Sequence, residues 1–265
     1  MKNKSLLYKV FNKKRVLITG HTGFKGTWLT TWLKILGADI AGISVDIPTK
    51  PSHFEKTNLS KEIIDLRMDI NSINLKNKIN KFKPDFIFHL AAQSLVTESH
   101  QDPLKTWQTN VLGTANLLNS LKSYKKSCVA VFITSDKCYD NKEWAWGYRE
   151  TDMLGGSDPY SGSKASAEIL INSFVKSFFS KNHPVKIASV RAGNVIGGGD
   201  WSPNRIIPDV ISAWSNKKPV KIRNPGATRP WQHVLEPLSG YLTLAAQMSK
   251  NNKLQGETFN FGPND

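Results

Sequence analysis

Residues 15–26 read Arg15-Val-Leu-Ile-Thr-Gly-His-Thr-Gly-Phe-Lys-Gly26, an apolar run followed at once by three glycines. The apolar run predicts a short buried strand, and the next segment, 24–36, predicts a helix that ends at Gly37. Glycines at such a turn allow the backbone to approach a pyrophosphate closely, and the N-terminus of the helix offers free N–H groups. A second predicted strand, 39–45, completes a βαβ unit of the kind that binds a dinucleotide.

The same alternation of strand and helix continues along most of the chain. It predicts a parallel, doubly wound α/β sheet with helices on both faces. Beyond Arg191 the alternation weakens, so we assign residues 12–193 to the cofactor-binding domain and residues 194–265 to a smaller substrate lobe. The further predicted strands are 63–68, 85–90, 129–134 and 185–190, and the further helices are 72–82, 103–124 and 159–179.

Asp46 follows the second predicted strand and bears on the choice of cofactor. A carboxylate at this place accepts hydrogen bonds from the adenosine ribose and repels a 2′-phosphate, which favours NAD over NADP. Its distance along the chain from Gly20 is slightly longer than the usual ~20 residues. A plain turn at the end of the strand therefore stays open as an alternative.

Composition narrows the class of partner. The chain has 265 residues and a net charge of +15, but its lysines are scattered and no zinc-finger spacing accompanies them. We therefore expect no nucleic acid as a partner, and the positive field would also suit a substrate that carries a diphosphate. No apolar run is long enough to cross a membrane, and the six histidines lack the spacing of metal ligands. Two cysteines indicate no disulfide framework and favour the cytoplasm.

Tyr160 and Lys164 lie four residues apart on a predicted helix and so share one face. Such a pair is often only surface. Here it follows the strand 129–134, which runs directly into Ser135-Asp136-Lys137. Doubly wound folds place their chemistry at the carboxyl ends of strands, so these five side chains are candidates for one catalytic site.

Taken together, the glycine loop, Ser135-Asp136 and Tyr160-Ser-Gly-Ser-Lys164 resemble the extended short-chain dehydrogenase/reductases, whose fold is of the Rossmann type. Three longer blocks are similar to the sugar-nucleotide 4,6-dehydratases of that family, in particular to the branch that acts on CDP-glucose. The resemblance extends from about Arg15 to the last residue. The three blocks are 134–141, 191–201 and 229–237.

The resemblance implies a role for each candidate catalytic residue. Tyr160 would take the proton of the sugar 4-hydroxyl, assisted by Lys164 and by a hydrogen bond from Ser135, while C4 gives hydride to NAD. Lys137 would then take the C5 proton and Asp136 would protonate the departing 6-hydroxyl. A lysine base requires a lowered pKa, which burial and neighbouring cations can supply. The alternative for Lys137 is a lysine held in a salt bridge.

The resemblance also assigns binding residues. Asn110 is expected to order a water or Lys164, and the small residues near position 91 can equally be explained by packing. The expected cofactor-binding residues are Gly20, Thr22, Gly23, Phe24, Lys25, Gly26, Asp46, Asp69, Ile70, Ala91, Ala92, Ser94, Asn110, Tyr160 and Lys164. The expected substrate-binding residues are Asn194, Arg205, Arg229 and His233.

Two further expectations come from the family. Its members form homodimers through the two long helices, here 103–124 and 159–179. The chains of its members also continue beyond the point where this chain ends, so the substrate lobe is expected to be incomplete. Three alternatives stay open: an epimerase, a dehydratase for another nucleotide, or a catalytically silent NAD-binding protein. An epimerase would not need the acid and base pair Asp136-Lys137, which makes that pair the discriminating feature.

Overall fold

The computed structural model describes residues 6–222 and 225–263. Its centre is a seven-stranded sheet in the order β3-β2-β1-β4-β5-β6-β9, in which every neighbouring pair is parallel. The strands are β1 Arg15–Thr19, β2 Asp39–Ser44, β3 Ile64–Arg67, β4 Phe86–His89, β5 Cys128–Ile133, β6 Val185–Ala192 and β9 Thr258–Phe261. Two short strands, β7 Val195–Ile196 and β8 Gln232–His233, pair separately.

Helices cover both faces of the sheet. One face carries α1 Leu6–Phe11, α2 Phe24–Ile35 and α10 Leu235–Lys250. The other carries α4 Leu75–Phe82, α7 Gly113–Leu121 and α8 Pro159–Phe178. The remaining helices are α3 His53–Lys56, α5 Val96–Gln101, α6 Pro103–Trp107 and α9 Ile206–Ser215.

Strand β5 shows why the sequence folds into layers. All six of its residues are buried, because helices lie on both sides of it. Val129 and Val131 face the layer of α2 and α10, whereas Ala130 and Phe132 face the layer of α7 and α8. This alternation along a continuous apolar run is typical of a central parallel strand.

The predicted doubly wound fold is confirmed, and the predicted strands fall within two residues of the observed ones. The predicted helix 103–124 is instead interrupted by a π-helical turn, Gln108–Leu112, between α6 and α7. Among the described residues, no helix is both long and apolar enough to cross a membrane.

The segment after residue 193 is more ordered than its sequence suggested. Helix α10 packs against the sheet through Tyr241 and Leu242, and β9 extends the sheet beside β6. Part of the segment that we assigned to the substrate lobe therefore belongs to the layers of the sheet. Asn264 and Asp265, at which that predicted lobe ends, lie outside the described residues.

Candidate active site

The glycine loop joins β1 to α2 in a turn that tolerates few side chains. Gly20 has a positive φ of 75°, and its N–H donates to the Ile43 carbonyl at 2.7 Å. A Cβ on Gly26 would lie 2.0 Å from the Gly20 carbonyl oxygen, so the first turn of α2 packs directly on the loop. These two glycines are therefore required by the fold of the loop itself.

Gly23, in contrast, is less crowded. A Cβ there would meet only the Gly20 carbonyl oxygen, at 3.4 Å. Gly23 is the N-cap of α2, and within the described chain no side chain caps this helix end. Uncapped N–H groups and space for close approach fit the pyrophosphate of a dinucleotide. Phe24 and Lys25, the next two residues, are half-buried beside this space.

His21 lies beneath the loop, fully buried. Its ring bonds to Asp65 through Nε2 and to the Ser44 hydroxyl through Nδ1, each at 3.0 Å. A Cβ on Gly42 would lie 2.3 Å from the ring, so that glycine makes room for the imidazole. Burial lowers the pKa of His21, and the Asp65 carboxylate acts in the opposite direction. The loop is thereby fastened to β2 and β3.

The other predicted cofactor residues lie at the same edge of the sheet, after β2, β3 and β4. The exposed Asp46 accepts a hydrogen bond at its carbonyl from the Thr22 hydroxyl at 2.7 Å. Asp69 is exposed and accepts from the Asn71 N–H at 2.7 Å, whereas the Ile70 side chain is buried. Ala91 and Ala92 are half-buried, and Ser94 is exposed.

Asn110 lies in the π-helical turn and is buried. Its amide donates to the Gln93 carbonyl at 3.1 Å and to the Ser163 hydroxyl at 2.8 Å, and it accepts from the Gln93 N–H at 2.9 Å. These protein partners occupy the amide group, where we expected a water or Lys164. Asn110 thus joins the segment after β4 to helix α8, a connection that sequence reasoning did not find.

The segment after β5 holds three candidate catalytic groups in sequence. Ser135 donates to the Asp136 carboxylate at 2.9 Å, and Lys137 Nζ lies 3.5 Å from the same oxygen. Both charged side chains are about one-third exposed. A 3₁₀ turn, Asp136–Cys138, fixes this arrangement. These three side chains can therefore donate and accept protons at one place on the edge of the sheet.

Tyr160 and Lys164 lie in the first two turns of α8, and both are buried. Lys164 Nζ is 6.0 Å from the centre of the Tyr160 ring. Burial raises the pKa of Tyr160 to about 12, and the Ser135 hydroxyl acts in the opposite direction. Burial also lowers the pKa of Lys164 to about 8 and that of Lys25 to about 8.

The predicted substrate residues divide into two groups. Asn194 Oδ1 is buried and lacks a hydrogen-bond partner in the described structure, which fits a contact to a ligand. Arg205 bonds to Asp200 at 3.0 Å and to the Ser94 hydroxyl at 3.3 Å, and so bridges the two sides of the site. Arg229 and His233 are exposed, and His233 Nδ1 accepts from the N–H of Leu235 at 3.3 Å.

A glycine loop and a Tyr–Lys pair at the carboxyl edge of a parallel sheet define an extended short-chain dehydrogenase/reductase. Residues 16–262 match the NAD dependent epimerase/dehydratase family, and the chain belongs to this family. It is 50% identical over 257 residues to the CDP-glucose 4,6-dehydratase of Salmonella typhimurium, a match that covers 95% of this chain and 72% of that protein.

Solved structures agree with the fold. The epimerase Mth375 of Methanothermobacter thermautotrophicus superposes with a TM-score of 0.83 at 24% identity, covering 97% of this chain and 74% of that one. The UDP-glucuronic acid 4-epimerase of Bacillus cereus, in complex with UDP-glucuronic acid and NAD, superposes with a TM-score of 0.81 at 26% identity. This match covers 95% of this chain and 78% of that one.

Proposed function

We propose that the chain is a CDP-glucose 4,6-dehydratase, a lyase that converts CDP-glucose to CDP-4-keto-6-deoxyglucose and water. The observation that carries the chemistry is the grouping of Ser135, Asp136 and Lys137 at the 3₁₀ turn after β5, beside the Tyr160–Lys164 pair. The choice of CDP-glucose rests on the 50% identity to the Salmonella dehydratase.

NAD fits the loop described above, where Gly23 and the first amides of α2 would hold its pyrophosphate and Asp46 its adenosine ribose. When bound, NAD would supply reversible storage for the hydride that leaves the sugar C4 and reaches C6, so the overall reaction needs no external reductant. We propose that Asp69 and Ile70 contact the adenine. The remaining proposed contacts to NAD are Gly20, Thr22, Phe24, Lys25, Gly26, Ala91, Ala92, Ser94, Tyr160 and Lys164, whereas the Asn110 amide is already occupied by protein partners.

Tyr160 is the proposed base for the sugar 4-hydroxyl. Its burial opposes the phenolate, so the site must supply compensating positive charge. Lys164, on the same face of α8, supplies one cation, and the Ser135 hydroxyl stabilises the phenolate further. A base of this kind contributes about 10²–10⁴-fold to the rate.

Asp136 and Lys137 are the proposed acid and base for the elimination. In an ion pair, Asp136 is a carboxylate and Lys137 is an ammonium. The elimination instead needs a carboxylic acid at Asp136 and a neutral amine at Lys137. Transfer of one proton across the contact of 3.5 Å gives a neutral amine and a carboxylic acid. The amine then takes the C5 proton, and the acid gives its proton to the departing 6-hydroxyl, so that water leaves. The ammonium formed on Lys137 would return a proton to C5 when hydride reaches C6, which completes the 6-deoxy product. An epimerase needs neither step.

Four residues after β6 are proposed to bind CDP-glucose. Asn194 Oδ1 is buried without a hydrogen-bond partner in the described structure, and the Arg205 guanidinium reaches the Ser94 hydroxyl after β4 at 3.3 Å. Arginine matches phosphate oxygens with a planar fork, which suits the diphosphate. Arg229 and His233, both exposed, complete the proposed set.

The direct test is to incubate the purified chain with NAD and CDP-glucose and to follow product mass, with dTDP-, UDP- and GDP-glucose in parallel. We expect loss of one water from CDP-glucose alone, without net formation of NADH. Water loss from another nucleotide sugar in preference would overturn the proposed substrate. Inversion at C4 without water loss would replace the dehydratase by an epimerase.

We also propose an isologous homodimer through α6, α7 and α8. These helices expose large apolar side chains, of which Leu104 is 74% and Ile169 is 58% exposed. A charge there is expected to prevent association, so Ile169→Glu should give monomers in sedimentation velocity where the unmodified chain gives dimers. Ile35→Glu, at a 74% exposed position of α2 on the opposite face of the sheet, is the matched control and should leave the dimer intact. A dimeric Ile169→Glu variant would contradict the proposed interface.

The proposed place of action is the cytoplasm. Both cysteines, Cys128 and Cys138, are unpaired and buried, as in proteins of a reducing compartment. The nucleotide sugar proposed as substrate is consistent with this location.

A further inference from the structure

A buried ion pair lies directly behind the catalytic side chains. Glu168 and Arg191 are 3% and 4% exposed, and their charged atoms are 3.1 Å apart. Buried charges of this kind are costly unless they are paired and fully hydrogen-bonded, so their presence needs a reason. Neither residue was singled out from the sequence.

Glu168 fastens α8 to the ends of two strands. It lies on the face of the helix that carries Tyr160 and Lys164, because the three residues are spaced four apart. Its carboxylate accepts hydrogen bonds from the Thr134 hydroxyl, at the end of β5, and from the Ser189 hydroxyl on β6 at 2.8 Å. Thr134 directly precedes Ser135-Asp136-Lys137, so this contact sets where the catalytic segment begins.

Arg191 secures the other end of that segment. Its guanidinium donates to the Tyr139 hydroxyl at 2.7 Å and to the Glu150 carbonyl at 3.1 Å. Tyr139 follows the 3₁₀ turn that contains Asp136 and Lys137, and its hydroxyl donates to Asn260 on β9 at 2.7 Å. The ion pair thus holds the catalytic segment from both sides.

We propose that Glu168 is a positioning residue of the dehydratase: it fixes the Tyr160–Lys164 helix against the catalytic segment, and it places a carboxylate one helical turn from Lys164 on the same face of α8. The roles of Tyr160 and Lys164 in this statement rest on the proposed function. The position and the charge of Glu168 are properties of the fold alone.

The surroundings of Lys164 show how the charge of Glu168 acts on the pKa of this lysine. Burial lowers the pKa of Lys164 to about 8, and the Glu168 carboxylate is the largest influence that raises it. Burial keeps His89 and Cys138 neutral, since it lowers the pKa of His89 to about 3 and raises that of Cys138 to about 12. The titratable groups that act on Lys164 or lie beside it are Tyr160 and Glu168 on α8, Cys138 after β5, His89 on β4 and Lys25 on α2.

The expected pH dependence follows from the sign of this effect. Lys164 supports the Tyr160 phenolate only while it is protonated, so activity falls as pH rises through the pKa of Lys164. Removing the negative charge of Glu168 lowers that pKa further. The alkaline limb of the profile of kcat/KM against pH then moves to lower pH, by about 1 unit for a charge one helical turn away.

The test compares three variants at position 168 with NAD and CDP-glucose. Glu168→Gln removes the charge and should move the alkaline limb to lower pH. Glu168→Asp keeps the charge but shortens the side chain, so it should lower kcat while the limb stays in place. Because Glu168→Gln leaves Arg191 without its partner, Glu168→Gln/Arg191→Met restores neutrality and should show the same displacement as the single change. Glu257→Gln, on an exposed residue, is the control for the change in net charge.

A second measurement does not depend on turnover. NMR titration of the cofactor-free protein with labelled lysine side chains, assigned with Lys164→Arg, reports the pKa of Lys164 directly. A lower pKa in both Gln variants supports the proposal even where the wild-type chain fails to dehydrate CDP-glucose, which would overturn only the proposed function. An unchanged pKa and an unchanged alkaline limb in both Gln variants would overturn the proposal.

Discussion

Replacing Tyr160 with phenylalanine is expected to lower the turnover of CDP-glucose by about 10²–10⁴-fold, because the phenol is the proposed base for the first step. The ring stays in its buried position at the start of α8, so the fold and the glycine loop are retained. Both the exchange of the C5 proton with deuterated solvent and the loss of water should stop together, since both follow oxidation at C4. Mass spectrometry of the sugar nucleotide measures the two events at once.

Tyr124→Phe is the matched control for this change. It also removes a buried phenol, whose hydroxyl donates to the Pro84 carbonyl at 3.0 Å, but Tyr124 lies before β5, at the opposite edge of the sheet. Its turnover should stay close to that of the wild type. Retention of NAD by both variants, read from the absorbance of the gel-filtered protein, separates loss of chemistry from loss of cofactor. Unchanged turnover in Tyr160→Phe would remove this residue from the mechanism.

Changing Lys137 to methionine is expected to separate the two halves of the reaction. Tyr160 is intact, so oxidation at C4 proceeds and reduced cofactor accumulates on the protein when CDP-glucose is added. Exchange at C5 and loss of water should fall by about 10²–10⁴-fold, because the proposed base is gone. Asp136 also loses the partner that lies 3.5 Å away, so its own proton transfer is impaired as well.

Lys142→Met tests whether the effect belongs to position 137. Lys142 forms an exposed ion pair with Asp140 at 2.7 Å, only five residues further along the same segment, and it lies outside the proposed mechanism. This variant should exchange the C5 proton and lose water as the wild type does. If Lys137→Met also exchanged the C5 proton at the wild-type rate, Lys137 would be a salt-bridge lysine and not the base.

Local patterns predicted much of the fold correctly. The apolar run of β5 is buried on both sides as a central strand should be, and the glycine loop adopts the turn that its spacing indicates. Helix α10 was missed, although Leu238, Tyr241, Leu242 and Ala245 repeat at helical spacing and are all buried. The nearby glycines and prolines concealed that signal.

The candidate site was predicted only as a set of residues. The sequence indicated that Tyr160 and Lys164 share a helix face and that Ser135, Asp136 and Lys137 follow a strand, because both are short-range properties of the chain. The pKa values of the two buried residues could not be predicted in this way, since burial sets them and burial depends on every layer around α8.

By itself, the sequence determined the doubly wound class of the sheet, the dinucleotide loop and the candidate catalytic residues, because strand period, glycine spacing and helix repeat act over a few residues. Only the tertiary structure decided the rest. It placed β9 beside β6 and brought Arg191 to Glu168, and it bonded Asn110 to Ser163 across 53 residues of chain. Contacts of that kind leave no local pattern, because they form only when distant segments pack into the same interior.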